Sequence, residues 1–110
     1  MDRGNSVRGR LMAALFVFGT VVVDFRKMEA KRNGQDVSLT AQEFKIMKYF
    51  SQNQSRVISR DELLNEVWGY ESVIDTRTVD THVRRLREKL GKAGDIVETV
   101  RGFGYRLREK

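Results

Sequence analysis

The chain predicts an α+β fold: a small antiparallel sheet, then three helices, then a closing β-hairpin. Three observations carry this. The β-branched and aromatic runs Phe16-Val17-Phe18 and Val21-Val22-Val23 flank a Gly19-Thr20 turn, the composition of paired strands around a tight connection. Two capping boxes, Thr40-x-x-Glu43 and Ser59-x-x-Glu62, each open a stretch with helical apolar spacing. Finally, Ile96 to Val100 and Tyr105 to Leu107 bracket Arg101-Gly102-Phe103-Gly104, two β runs with turn-forming glycines between them.

Taken in order, residues 1–14 mix Gly, Ser, Asn and Arg without a sustained period and are read as a flexible linker or expression remnant; the domain is placed at 15–108. Arg3, Arg8 and Arg10 ahead of the apolar run Leu11 to Val23 imitate a secretory signal. That run is too short to span a bilayer, is split by Gly19-Thr20, and is followed by bulky residues rather than a small-x-small cleavage site. Next, Lys27 to Arg32 and Gln35 to Leu39 flank Asn33-Gly34, the strongest short hairpin signal. Thr40 caps a first helix whose Phe44, Met47 and Phe50 face inward as far as about Asn53. After an extended Arg56-Val57-Ile58, Ser59 caps a shorter second helix that turns Leu63, Leu64, Val67 and Trp68 to the core. The loop Gly69 to Thr76 leads to a third helix over residues 77–90.

That third helix carries the chemistry. Val79, Val83, Leu86 and Leu90 form a single apolar stripe, so the helix packs along one edge. Asp75 or Thr76 can cap its first turn, and Lys89 followed by Gly91 is a helix stop. The rest of its circumference includes Arg77, Thr78, Asp80, Thr81, His82, Arg84, Arg85 and Arg87. These charges are mostly of one sign and lack the Glu–Lys interleaving of a solubility face. Short polar side chains beside guanidinium forks are the mixture that reads base edges and phosphates in a major groove. The whole chain agrees: 110 residues make one modest core, and a net charge of +6 favours a polyanionic partner. Cysteine is absent, which excludes disulfides and thiolate metal sites and fits a reducing cytoplasm.

Three helices with a following hairpin make a winged helix-turn-helix, in which the helix lies in the major groove and the hairpin reaches adjacent backbone and minor groove. At this point the sequence resembles a known family, the DNA-binding effector domains of OmpR/PhoB-type two-component response regulators. The residues that carry the resemblance are Leu39-Thr40-x-x-Glu43-Phe44, Ile58-Ser59-Arg60-Asp61-Glu62-Leu63-Leu64 and Val67-Trp68-Gly69, then Arg77 to Leu90, then Thr99-Val100-Arg101-Gly102-x-Gly104-Tyr105-Arg106. Phe18-Gly19-x-Val21-x-Val23-Asp24 fits the family's opening sheet, so the likeness runs from about Leu15 to Arg108.

The resemblance implies sequence-specific duplex DNA binding and regulation of transcription, without a cofactor, metal or membrane. It implies base contacts from Thr78, Asp80, Thr81 and Arg85, and backbone contacts from Trp68, Arg77, His82, Arg84, Arg87, Thr99 and Tyr105. Arg101 would reach the minor groove, and Tyr70, Glu71 and Val73 in the loop before the third helix would meet RNA polymerase. The sites would be direct-repeat half-sites bound head to tail. The family's phosphoacceptor receiver does not precede the domain in this sequence, so an isolated, monomeric effector domain is expected. Several positions keep a second reading: Trp68 as core, Tyr70 and Ile74 folded over the core, and Asp80 paired with Arg77 or Arg84 on its own helix rather than with cytosine.

Two other function classes fit less well. Arg101-Gly102-Phe103-Gly104-Tyr105 imitates the opening of the RNP1 signature of RNA-binding domains, but Arg106 and Arg108 stand where an apolar and an aromatic residue belong. RNP1 also needs a further helix and strand after it. For an enzyme, the chain lacks a nucleophile elbow, a phosphate-binding loop and a cysteine nucleophile, and its lone His82 is a poor metal ligand or base.

Overall fold

The computed structural model describes residues 10–12, 14–71 and 73–108. A five-stranded antiparallel sheet opens the domain, its spatial order following the chain: β1 (Arg10–Met12), β2 (Leu15–Phe18), β3 (Val21–Asp24), β4 (Glu29–Arg32) and β5 (Gln35–Val37). Strand periodicity of two sends Phe16 and Phe18 inward opposite Val23 and Val21, while Leu15, Val17 and Val22 face out. The sheet begins earlier than residue 15. β1 lies in the stretch read as linker, paired in the register Arg10↔Val17, Leu11↔Phe16 and Met12↔Leu15. Three residues are too few to display a period, and an edge strand is recruited by its backbone groups. The remainder of that linker reading, 1–9 and 13, lies outside the described residues.

The helices follow. Both halves of the Thr40 capping box form: the hydroxyl accepts the Glu43 N–H at 3.2 Å, and the Glu43 carboxylate accepts the Thr40 N–H at 2.8 Å. This starts α1 (Ala41–Gln52), whose Phe44, Ile46, Met47 and Phe50 are buried. α2 (Arg60–Leu63) continues directly into a π-helical turn (Leu64–Trp68). Only half of its expected capping box is present. Ser59 Oγ accepts the Glu62 N–H at 3.0 Å, but the Glu62 carboxylate turns away to Arg56 and to the Tyr49 hydroxyl on α1. A charged partner outcompetes a backbone N–H for a carboxylate, and the Arg56 guanidinium, then the Tyr49 hydroxyl, hold the Glu62 carboxyl below its ordinary range.

α3 (Thr76–Leu90) begins at Asp75, whose carboxylate accepts the Arg77 N–H at 2.9 Å, which settles the choice of cap. Its stripe of Val79, Val83, Leu86 and Leu90 is fully buried against α1, α2 and the sheet's inner residues, all in one cluster. A 3-10 turn (Gly91–Ile96) absorbs Ile96, which the sequence places in a strand, and leads to the hairpin of β6 (Val97–Val100) and β7 (Gly104–Leu107). Ile58 joins this hairpin as a bridge, its N–H donating to the Tyr105 carbonyl at 2.7 Å and the Tyr105 N–H returning at 2.9 Å. No helix among the described residues is long and apolar enough to cross a membrane.

Candidate nucleic-acid interface

At about 100° per residue, the buried stripe of α3 divides the rest of that helix into two flanks and an outward arc. The flank toward the hairpin carries Asp80 and Arg87. Asp80 accepts from Arg60 Nε at 3.2 Å and Nη2 at 2.7 Å, and from the Tyr105 hydroxyl at 2.5 Å. Arg87 donates to the Val97 carbonyl and the Thr99 hydroxyl, both at 2.8 Å, and its guanidinium lies over the Tyr105 ring at 5.5 Å. Asp80 therefore pairs across the fold and not with Arg77 or Arg84, the partners that helical spacing allows. The reason is reach: Arg60 and Tyr105 approach from the side of the hairpin, which an α3-only reading cannot include. Burial, then the bond to Asp80, pushes the Tyr105 hydroxyl up to about 12.

The opposite flank carries Thr78, His82 and Lys89. His82 Nδ1 lies 2.9 Å from the Thr78 carbonyl, so that nitrogen carries the proton and donates. Its ring meets Trp68 edge to face at 5.0 Å, which makes Trp68 a half-buried side chain packed on the core and on α3 at once. Lys89 reaches the buried Glu43 carboxylate at 2.8 Å.

The outward arc holds Arg77, Thr81, Arg84, Arg85 and Glu88. Arg84 and Arg85 are exposed and make no hydrogen bond or ion pair with any described residue; Arg101 at the hairpin tip is in the same state. Arg77 pairs with Asp75 at 3.0 Å on the open surface, a contact readily exchanged for a phosphate. Arg77's N–H, then its guanidinium, hold the Asp75 carboxyl below its ordinary range. Thr81 donates to the Arg77 carbonyl at 3.2 Å.

A cleft of about 470 Å³ separates the N-terminal ends of α2 and α3 from the hairpin, with Ser59, Arg60, Thr76, Thr99 and Phe103 in its walls. Two functional contributors were not legible from sequence: Arg60, which holds Asp80, and Glu43, which holds Lys89. Their only trace there is an acid in a helix cap and an acid, Asp80, on a predominantly basic helix. In the loop before α3, Tyr70 is 73% and Val73 99% exposed. Tyr70 bonds to Glu66 on the surface rather than covering the core.

The family described as transcriptional regulatory protein, C terminal, matches residues 34–107. The chain belongs to that family. The transcriptional regulatory protein CseB of Streptomyces avermitilis is 47% identical over 94 residues, 86% of this chain and 39% of that protein. CseB of Streptomyces coelicolor is 44% identical over 107 residues, 97% of this chain and 45% of that protein. The chain thus spans less than half the length of these relatives. Among solved structures, the DNA-binding domain of Bacillus subtilis CssR superposes with a TM-score of 0.72 at 36% identity, covering 79% of this chain and 98% of that one. The OmpR/PhoB homologue DrrB of Thermotoga maritima gives 0.77 at 26%, covering 86% and 44%. The Klebsiella pneumoniae RstA domain in complex with its RstA box gives 0.73 at 26%, covering 86% and 96%. The domain is therefore an OmpR/PhoB-type winged-helix effector: a DNA-binding unit of transcription regulation, not an enzyme.

Proposed function

We propose that α3 lies in the major groove with Thr81 and Arg85 at base edges, Thr78 beside them, and Arg77 and Arg84 on flanking phosphates. The hairpin is the wing and places Arg101 in the neighbouring minor groove. The observation that supports this most directly is that Arg84, Arg85 and Arg101 are exposed and make no hydrogen bond or ion pair with any described residue, on the helix's outer arc and the hairpin tip, where two successive grooves would meet them. Trp68 and His82 line the backbone on one side of the helix. Thr99 and Tyr105, with Arg87 and Asp80, hold the wing in place and meet DNA at most through their exposed edges. The domain acts in the cytoplasm as the effector part of a longer regulator. It is monomeric by itself and binds direct-repeat half-sites head to tail, with Tyr70, Glu71 and Val73 facing RNA polymerase when DNA is bound.

Selection from random duplexes, followed by filter binding on duplex DNA and RNA across a salt series, tests this reading. A direct repeat at about one helical turn should emerge. With about six phosphate contacts, log affinity should fall against log salt with a slope near −5. Equal affinity for RNA, a palindromic preference, or a stable symmetric dimer in sedimentation would sink it.

A further inference from the structure

Phe103 is the one position of the Arg101-to-Tyr105 run that neither the core nor the wing's cation accounts for. The wing tip is a hydrogen-bonded turn, closed by the Phe103 N–H on the Val100 carbonyl at 2.9 Å. Gly102 has φ +80, which puts Arg101 and Gly102 at the central positions of a type II turn. At the other end the backbone is pinned. Gly104 sits so close to α2's entry that a Cβ there would lie 2.1 Å from the Ile58 carbonyl oxygen, and Tyr105 is bonded to Ile58 through both backbone groups. Between these two constraints Phe103 is 71% exposed. Its ring makes no aromatic or cation–π contact among the described residues.

A phenyl ring held in water on a fixed backbone is preorganised: binding it restricts only two side-chain torsions. Its neighbours say what it meets. Arg101 leaves the same turn without a counter-charge, and Phe103 walls the cleft between wing and α3 together with Ser59 and Thr76. With α3 in a major groove, that cleft faces the sugar–phosphate ridge and the tip faces the minor groove beyond it. A minor groove combines a negative floor with deoxyribose walls that are apolar, and side chains that enter it pair cations with apolar groups.

We propose that Phe103 packs its ring on the deoxyribose wall of the minor groove beside Arg101, as an apolar determinant of affinity. This rests on the wing placement proposed above. The contact has a signature that distinguishes it from every cationic one: burying a ring releases no counterions, so its contribution is independent of salt.

The experiment compares wild type, Phe103→Ser, Phe103→Leu and Arg101→Ala on the selected duplex between about 50 and about 200 mM salt, with thermal melts alongside. Phe103→Ser should weaken binding about tenfold at every salt, the size expected for losing roughly half a phenyl ring's burial. Its slope and Tm should match wild type, and Phe103→Leu should recover most of the loss. Arg101→Ala should weaken binding with a slope shallower by about one. Wild-type affinity in Phe103→Ser alongside weakened Arg101→Ala overturns the Phe103 contact and leaves the wing reading standing. Wild-type affinity in both overturns the wing reading and the contact with it. Intact DNA binding but reduced transcription in Phe103→Ser would assign the ring to a protein partner and overturn the proposal.

Discussion

Tyr105 on the wing donates its hydroxyl to Asp80 on α3 at 2.5 Å, and this bond ties the wing to the helix. Arg60 of α2 grips the same carboxylate with two nitrogens, so three elements meet at a single acid. Three donors thus hold this carboxylate in place across the fold, with one acceptor site of its roughly four left on Oδ2. Asp80 therefore ties α3 to the wing; with the groove placement proposed above, that tie governs whether both grooves are reached together.

Asp80→Asn and Tyr105→Phe should both destabilise the domain. Losing a hydrogen bond to a charged group costs about 1.5–3 kcal/mol, and Asp80→Asn also leaves Arg60 without its counter-charge. Urea unfolding measures this. On DNA, Asp80→Asn should weaken preferred and random sites alike; a changed base preference at one position with unchanged stability would show that Asp80 reads DNA after all.

The same bond predicts a pH dependence. The Tyr105 hydroxyl is raised to about 12, whereas an unfolded tyrosine titrates near 10. A raised value in the folded state means that the neutral form stabilises the fold. That contribution is complete below about pH 10 and is lost as pH rises through about 12. Lysines titrate over the same window in both proteins, so the difference between wild type and Tyr105→Phe isolates this group. The stability gap should narrow across the window; a constant gap would refute the assignment.

Arg85 and Arg101 should fail differently. Arg85→Ala should cost about 1–3 kcal/mol on the preferred site and much less on random DNA. Arg101→Ala should weaken both, more on sites with an AT-rich flank. Equal losses for Arg85→Ala on both DNAs would place it on phosphate.

The pair of Glu43 and Lys89 ties α1 to the end of α3. Glu43 is 1% exposed and its Oε1 accepts both the Lys89 ammonium and the Thr40 N–H. Removing Lys89 leaves a buried carboxylate without its cation, which is worth about 3 kcal/mol or more. Lys89→Met should therefore lower the urea midpoint strongly, and Glu43→Gln together with Lys89→Met should restore part of the loss.

The loop variants Glu71→Lys and Val73→Ser should keep Tm and DNA affinity, since Val73 is 99% exposed. If the loop meets RNA polymerase, both should lose activation in reconstituted transcription. A lower Tm in Val73→Ser, or intact activation in both, would end that reading.

Local rules made most of this domain legible in its sequence. The stripe of Val79, Val83, Leu86 and Leu90, the Thr40 box and the Asn33-Gly34 turn depend on neighbours within a few residues, and the helix and strand periods expose them directly. The outward arc of Arg77, Thr81, Arg84, Arg85 and Glu88 follows from that same stripe. What the sequence could not determine was which polar groups are already engaged. Asp80 finds Arg60 and Tyr105, Glu62 leaves its cap for Arg56 and Tyr49, and Lys89 reaches Glu43. Each of these choices joins residues brought together by packing; at Glu62 a charged partner at close range outweighs the backbone N–H that local spacing provides, and at Glu43 the cation is added to it. The chain alone thus determined the elements and the exposed face of α3, and tertiary contact decided which of its side chains hold the wing and which stay exposed and unpaired.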